Sequence, residues 1–260
     1  MIDIHCHLLP NIDDGSRDIE SSIEQAGQMS GSGITRAYLT SHYFRGHYHY
    51  PRADYDSRLK ELQQALDQHG IGLKLESGFE IFIQPGILKD IDERQLTMGN
   101  SKYILIESEL NGLPTDFYDN VYPLLRAGYK PILAHAERYV SIMKKPSRAR
   151  ELVDKNIYLQ TNAGALLGQY GEKVRQTAWT LIDNGWTHFI ASDDHVRMPY
   201  TNMQEAYELL SERIDDHTAR LLTTDFPAYI ESGDKLPYAY VQVRRPRHHH
   251  KRSWLKRLFD

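Results

Sequence analysis

Met1-Ile2-Asp3-Ile4-His5-Cys6-His7 is the stretch on which the fold turns. Side chains alternate along a strand, so Asp3, His5 and His7 point to one side and the apolar residues to the other. A barrel interior is normally filled by branched apolar residues. Two imidazoles and a carboxylate on that side therefore point to a metal at the strand's carboxyl end, where barrel active sites assemble. Taken alone the spacing also fits a hydrogen-bonded core.

Similar endings recur along the chain. Candidate strands are Ile2–His5, Thr35–Thr40, Leu73–Glu80, Tyr103–Glu107, Ile132–His135, Tyr158–Thr161 and His188–Ser192. Helical spacing fills the gaps over Asp18–Met29, Tyr55–His69, Phe117–Arg126, Ser147–Lys155, Glu172–Asn184 and Asn202–Ile214, the alternation expected of βα units around a parallel sheet. Apolar runs such as Ile132-Leu133-Ala134 close on His135, and others close on Ser41-His42, Glu80, Glu107 and Asp193-Asp194-His195. Folding those strands into an α/β barrel would gather their ends around one cavity. Such a set, rich in histidine and carboxylate and without a thiolate, suits Mn²⁺, Fe²⁺ or Zn²⁺. Asp13-Asp14-Gly15 adds carboxylate, and read alone is an ordinary turn.

The chain has 260 residues, 40% of them hydrophobic and 25% charged, a length sufficient for one barrel. No apolar run approaches a membrane span. The N-terminus lacks the features of a secretory signal and there is one cysteine, so a cytoplasmic location is expected. The net charge of −4 is uneven. Seven basic residues and Asp260 fall in the last twenty positions, which leaves the rest of the chain at −10. An acidic body is a poor match for nucleic acid. We divide the chain into a barrel domain, 1–237, and a basic tail, 238–260. In the tail Trp254, Leu255, Leu258 and Phe259 interleave with Lys251, Arg252, Lys256 and Arg257, as in a peripheral amphipathic segment at an anionic lipid surface or a solubilising tail.

Residues 1–232 resemble the polymerase and histidinol phosphatase (PHP) superfamily, and within it the bacterial capsule-type manganese-dependent tyrosine phosphatases. The resemblance rests on the first strand, Asp13-Asp14-Gly15, Thr40-Ser41-His42, Gly78-Phe79-Glu80, Leu105-Ile106-Glu107, Ala134-His135-Ala136-Glu137-Arg138-Tyr139 and Ala191-Ser192-Asp193-Asp194-His195, in the family's order. It implies a distorted seven-stranded TIM-like barrel holding three divalent ions, Mn²⁺ foremost with Fe²⁺ or Zn²⁺ as alternatives. The implied ligands are His5, His7, Asp14, His42, Glu80, Glu107, His135, Asp193 and His195, with Glu80 bridging. Arg138 resembles the family's substrate-binding arginine. Arg197 is a second candidate on a loop shorter than the family pattern. The resemblance also implies a partner, a membrane-associated tyrosine autokinase of polysaccharide export, and a homo-oligomer.

The expected reaction is hydrolysis of protein phosphotyrosine, with metals binding the phosphate and acidifying the attacking water. Arg138 and Arg197 would grip the phosphate oxygens, and His195 or His42 would assist proton transfer. A cysteine-nucleophile phosphatase needs a thiolate in a loop ending in arginine. Cys6 instead lies between two candidate ligands, and position 12 is Ile. Two other readings keep the same residues: a small-molecule phosphatase acting on histidinol phosphate, and a non-catalytic metal-binding module. The polar, aromatic stretch Tyr43–Tyr50 is a candidate receiver of the substrate side chain, or ordinary packing.

Overall fold

The computed structural model describes residues 1–197, 199–200 and 202–243. Seven parallel strands stand in sequence order: β1 (Ile2–Cys6), β2 (Arg36–Tyr43), β3 (Lys74–Phe82), β4 (Tyr103–Glu107), β5 (Lys130–Leu133), β6 (Tyr158–Asn162) and β7 (Phe189–Ala191). The ring closes between β7 and β1 through two bonds past the strand ends. Asp193 N–H donates to the His5 carbonyl (2.8 Å) and His7 N–H to the Asp194 carbonyl (2.7 Å). The expected α/β barrel of seven strands is the fold observed.

The strands are buried on both faces for most of their length because helices cover the outside and other strands face the inside. Ile4, Leu39, Ile81, Leu105, Ile132, Leu159 and Ile190 are all buried. The covering helices are α1 (Ile19–Gly31), α2 (Arg52–Gln68), α3 (Ile87–Arg94), α4 (Phe117–Arg126), α5 (Val140–Lys144), α6 (Ser147–Asp154), α7 (Ala163–Leu166), α8 (Glu172–Asp183), α9 (Asn202–Arg213), α10 (Asp216–Arg220) and α11 (Phe226–Ser232). Asp18 starts α1 by accepting the Ser21 N–H at 2.8 Å, a side-chain cap for an otherwise unpaired donor.

Two strands, β5 and β7, stop short of the expected ends. β5 stops at Leu133, and His135 lies beyond it in the left-handed region at φ 36°. β7 stops at Ala191, with Asp193 also left-handed at φ 54°. Non-glycine residues are rare there and such strain clusters at functional sites. Each turn swings a polar side chain from strand direction into the barrel mouth.

The opposite, N-terminal face is crossed by the segment after α11. Tyr103 Oη donates to the Asp234 carbonyl (2.7 Å), Lys130 Nζ to the Gly233 carbonyl (2.7 Å), and Val241 N–H to the Gly185 carbonyl (2.8 Å). His188 Nε2 reaches the Ala239 carbonyl at 2.9 Å. Residues 238–243, assigned from sequence to the tail, thus pack on the barrel, and Val241 is buried. The tail residues 244–260 lie outside the described residues.

Candidate metal centre

Glu80, near the end of β3, is buried at the middle of the mouth and faces four imidazoles. Its Oε2 lies 3.1 Å from His5 Nε2, 3.3 Å from His7 Nε2 and 3.3 Å from His42 Nδ1. Its Oε1 lies 2.8 Å from His135 Nε2. Burial would raise this carboxyl's pKa, but His5, His135 and His7 hold it well below the usual range. Glu107, ending β4, sits 3.1 Å from His42 Nδ1. Asp193 Oδ1 lies 3.3 Å from His5 Nε2. Asp14, on the loop after β1, sits 3.4 Å from His42 Nε2 and 3.5 Å from His195 Nε2. All nine residues named from sequence as ligands therefore meet in one place.

Three groups have donor atoms within 4.8 Å of one another: His7, Asp14, His42 and His195; His5, His7, Glu80 and Asp193; His42, Glu80 and Glu107. His7, His42 and Glu80 are each shared by two groups.

The tautomers show that this set fits divalent cations. His5 Nδ1 faces Gln160 Oε1 (3.1 Å) and His7 Nδ1 faces Asp13 Oδ2 (2.8 Å). Both partners only accept, so each Nδ1 carries the proton and each neutral Nε2 keeps a lone pair. Those lone pairs face each other across 3.3 Å and also face Glu80. His195 repeats the pattern, with Nδ1 donating to the Asp193 carbonyl (2.9 Å) and Nε2 facing Asp14. Lone pairs converging on carboxylates repel unless a cation lies among them. Without one, protons must serve. Burial opposes charging His7, yet Asp13 outweighs it and pushes the pKa up to about 10. At His195 burial and the His7 charge win, holding it near 4.

Several supporting roles were not assigned from the sequence. Asp13 orients His7 and also accepts the His42 and Gly15 N–H groups at 3.0 Å each. Gly15 is required here, because a Cβ would fall 2.1 Å from the His7 carbonyl oxygen. Gln160 Oε1 also accepts the His135 N–H (2.8 Å), and Asn162 Nδ2 donates to Asp193 Oδ2 (2.7 Å). These two amides lie on one side of β6, two residues apart, a period-two polar pattern in a buried strand that could have marked them. Asp3 departs from the expectation for β1. Its carboxylate clamps β1 to the β7 end through Ser192 N–H (3.1 Å) and accepts Tyr200 Oη–H (2.7 Å).

The mouth is a cavity of about 690 Å³. Arg138 lines it, half-buried, donating to Asp193 Oδ2 (3.0 Å). Arg197 lines it too, exposed and bonded to the Asp14 carbonyl (2.9 Å) and Oδ2 (2.7 Å). The Tyr43–Tyr50 stretch packs on itself and its neighbours, Phe44 stacking on Phe82 at 4.2 Å and Tyr48 on His42 at 5.2 Å. Cys6 is fully buried, its thiol near the Tyr38 carbonyl at 3.5 Å. Burial pushes its pKa well above the usual value, so it offers no nucleophilic thiolate.

Fold and site together define an α/β barrel with a histidine–carboxylate centre at the C-terminal strand ends. The same barrel appears in histidinol phosphate phosphatase of Lactococcus lactis, at TM-score 0.56 and 11% identity over 86% of this chain and 96% of that one, a likeness of fold alone. A much closer match comes from the crystal structures of YwqE from Bacillus subtilis and CpsB from Streptococcus pneumoniae, described as metal-dependent tyrosine phosphatases. Here the TM-score is 0.86 with 31% identity, covering 95% of this chain and 98% of the other. The sequence is 34% identical over 225 residues to tyrosine-protein phosphatase YwqE of B. subtilis, 86% of this chain and 89% of the relative. It is 30% identical over 238 residues to a putative tyrosine-protein phosphatase, CapC, of Staphylococcus aureus, 90% of this chain and 89% of the relative. The family model for capsular polysaccharide synthesis, CpsB/CapC, matches residues 1–231. The chain belongs to the CpsB/CapC family.

Proposed function

We propose that this protein is a metal-dependent protein-tyrosine phosphatase. Its substrate is phosphotyrosine on a membrane-associated bacterial tyrosine kinase that controls capsular or exopolysaccharide synthesis, and it works at the cytoplasmic side. The observation that carries the reading is Glu80, a buried carboxylate whose two oxygens lie within 3.3 Å of nitrogens from four histidines. His5, His7, Asp14, His42, Glu80, Glu107, His135, Asp193 and His195 would hold three cations; the three donor groups take in all of these but His135, whose Nε2 lies 2.8 Å from Glu80, the bridging ligand in this reading. Manganese is the ion that the family resemblance implies, and five imidazoles with four carboxylates also suit Fe²⁺ or Zn²⁺ as competitors.

When bound, divalent cations neutralise the phosphate and acidify the water that attacks phosphorus. The protein's own groups do the rest. Arg138 swings its fork from Asp193 to the non-bridging oxygens, adding charge-assisted bonds that strengthen as charge develops. Arg197, tied to Asp14 at the cavity, is a second contact. The bond from phosphorus to the tyrosyl oxygen breaks as the P–O bond to water forms. The departing phenolate, with a pKa near 10, takes a proton from solvent. The lone pairs of His42 and His195 are committed to ligation, which leaves them a secondary part in proton transfer. Cys6 has no part.

The test is metal quantification with a substrate screen on protein prepared in the presence of Mn²⁺. We expect bound metal, loss of activity with EDTA, higher kcat/KM on a phosphotyrosine peptide than on histidinol phosphate, and retained activity in Cys6→Ser. EDTA-resistant activity that Cys6→Ser abolishes would overturn the mechanism. Preference for histidinol phosphate would overturn the substrate, and bound metal with no activity on any phosphate ester would favour the metal-binding module.

A further inference from the structure

The cavity floor is charged, but its rim carries Leu110, Tyr170 and Pro199 beside Arg138. Tyr170 places its ring under the Arg138 guanidinium, with Cζ 4.8 Å from the ring centroid, yet 37% of the residue stays exposed. The ring is held in place. Gln169 N–H donates to the Gly164 carbonyl (2.9 Å) and Gly171 N–H to the Gly168 carbonyl (3.0 Å), closing the turn after α7. Asn162 Nδ2, which also grips Asp193, donates to Tyr170 Oη at 3.4 Å. Gly164 gives the turn its seat, since a Cβ there would lie 2.3 Å from Gln169 Oε1 and 3.3 Å from a Tyr170 ring carbon.

An arginine that binds the phosphate has to place the ester group next to whatever the guanidinium stacks on. Here that is an aromatic side chain more than a third exposed at the cavity. We infer that Tyr170 is a specificity-determining residue that receives the leaving-group ring of an aryl phosphate and so favours aryl over alkyl phosphate monoesters. The inference rests on the phosphotyrosine reading above. Ring–ring contact and the cation–π support of Arg138 act together at this point, whereas an alkyl phosphate such as phosphoserine brings no ring to the rim.

The experiment compares wild type, Tyr170→Phe and Tyr170→Ala on one peptide sequence carrying phosphotyrosine or phosphoserine. Tyr170→Ala should lower kcat/KM roughly 10-fold on phosphotyrosine, mainly through KM, and under about 2-fold on phosphoserine, whereas Tyr170→Phe, which keeps the ring, should retain the preference for phosphotyrosine over phosphoserine. Calorimetric binding of phenylphosphonate against methylphosphonate gives a readout apart from turnover, and only the phenyl compound should bind more weakly to Tyr170→Ala. Equal losses on both substrates would reduce Tyr170 to a prop for Arg138, and no loss on either would remove it from the site; both overturn the inference. Wild type that is inactive on phosphotyrosine but active on another phosphate ester would instead defeat the functional reading itself.

Discussion

Lowering the pH from 7 to 5 should loosen the N-terminal face at one residue. His188 is fully buried, with Nδ1 accepting the Leu159 N–H (3.1 Å) and Nε2–H donating to the Ala239 carbonyl (2.9 Å). Both ring nitrogens are satisfied only in that neutral tautomer, because a second proton on Nδ1 would meet the Leu159 N–H head on. Burial accordingly lowers the pKa to about 4, the Ala239 contact offsetting it only in part. The unfolded chain titrates near 6.5. A depressed folded value means no penalty above pH 6.5. As pH falls, the unfolded state takes up a proton that the folded state refuses, and stability declines until it levels off below about pH 4. The full gap is worth about 3 kcal/mol, of which about 2 kcal/mol is lost between pH 7 and 5. Urea unfolding followed by tryptophan fluorescence, in wild type and His188→Gln, measures it. The metal-centre groups titrate in both proteins, so the difference isolates His188. Wild type should lose about 2 kcal/mol more than the variant across that interval; equal losses would refute the reasoning.

Three further outcomes are expected. Asp13→Asn removes the anion behind His7 Nδ1 and should weaken divalent-cation affinity roughly 10- to 100-fold; a calorimetric metal titration matching wild type would show that Asp13 orients nothing. Arg138→Lys keeps the charge but loses the fork, and kcat/KM on a phosphotyrosine peptide should fall roughly 10- to 100-fold. Arg197→Ala should cost less, since that side chain is 63% exposed and already tied to Asp14, and steady-state kinetics showing the reverse order would reassign the two. Removing residues 244–260 deletes the seven C-terminal basic residues and should reduce sedimentation with anionic liposomes; equal partitioning of both forms would exclude peripheral attachment through the tail.

The barrel was legible because its strands are short apolar runs ending in polar residues, and β4 and α4 were bounded in the sequence as they stand in the structure. His5, His42, Glu80 and Glu107 stood out because each closes such a run. Other features depend on backbone geometry that composition does not record. His135 and Asp193 leave the strand direction through left-handed turns, so β5 and β7 are shorter than their apolar runs suggested. Of two adjacent carboxylates, Asp14 turns to His42 and His195 while Asp13 turns behind His7, and pairing in sequence carries no such direction. Gln160 and Asn162 read as ordinary amides until their spacing is set against β1 and β7. Helices α5, α7 and α10, of five, four and five residues, are too short for a 3.6-residue period to register.

The segment that crosses the strand N-termini gives the molecule a front and a back. Val241 is bonded to Gly185 at the back, whereas the cavity opens at the far end of the same strands. Changes to the crossing segment, which bonds the starts of β4 and β5 and the turn before β7, reach the mouth only through the strands, so they would lower folding stability before they alter the chemistry.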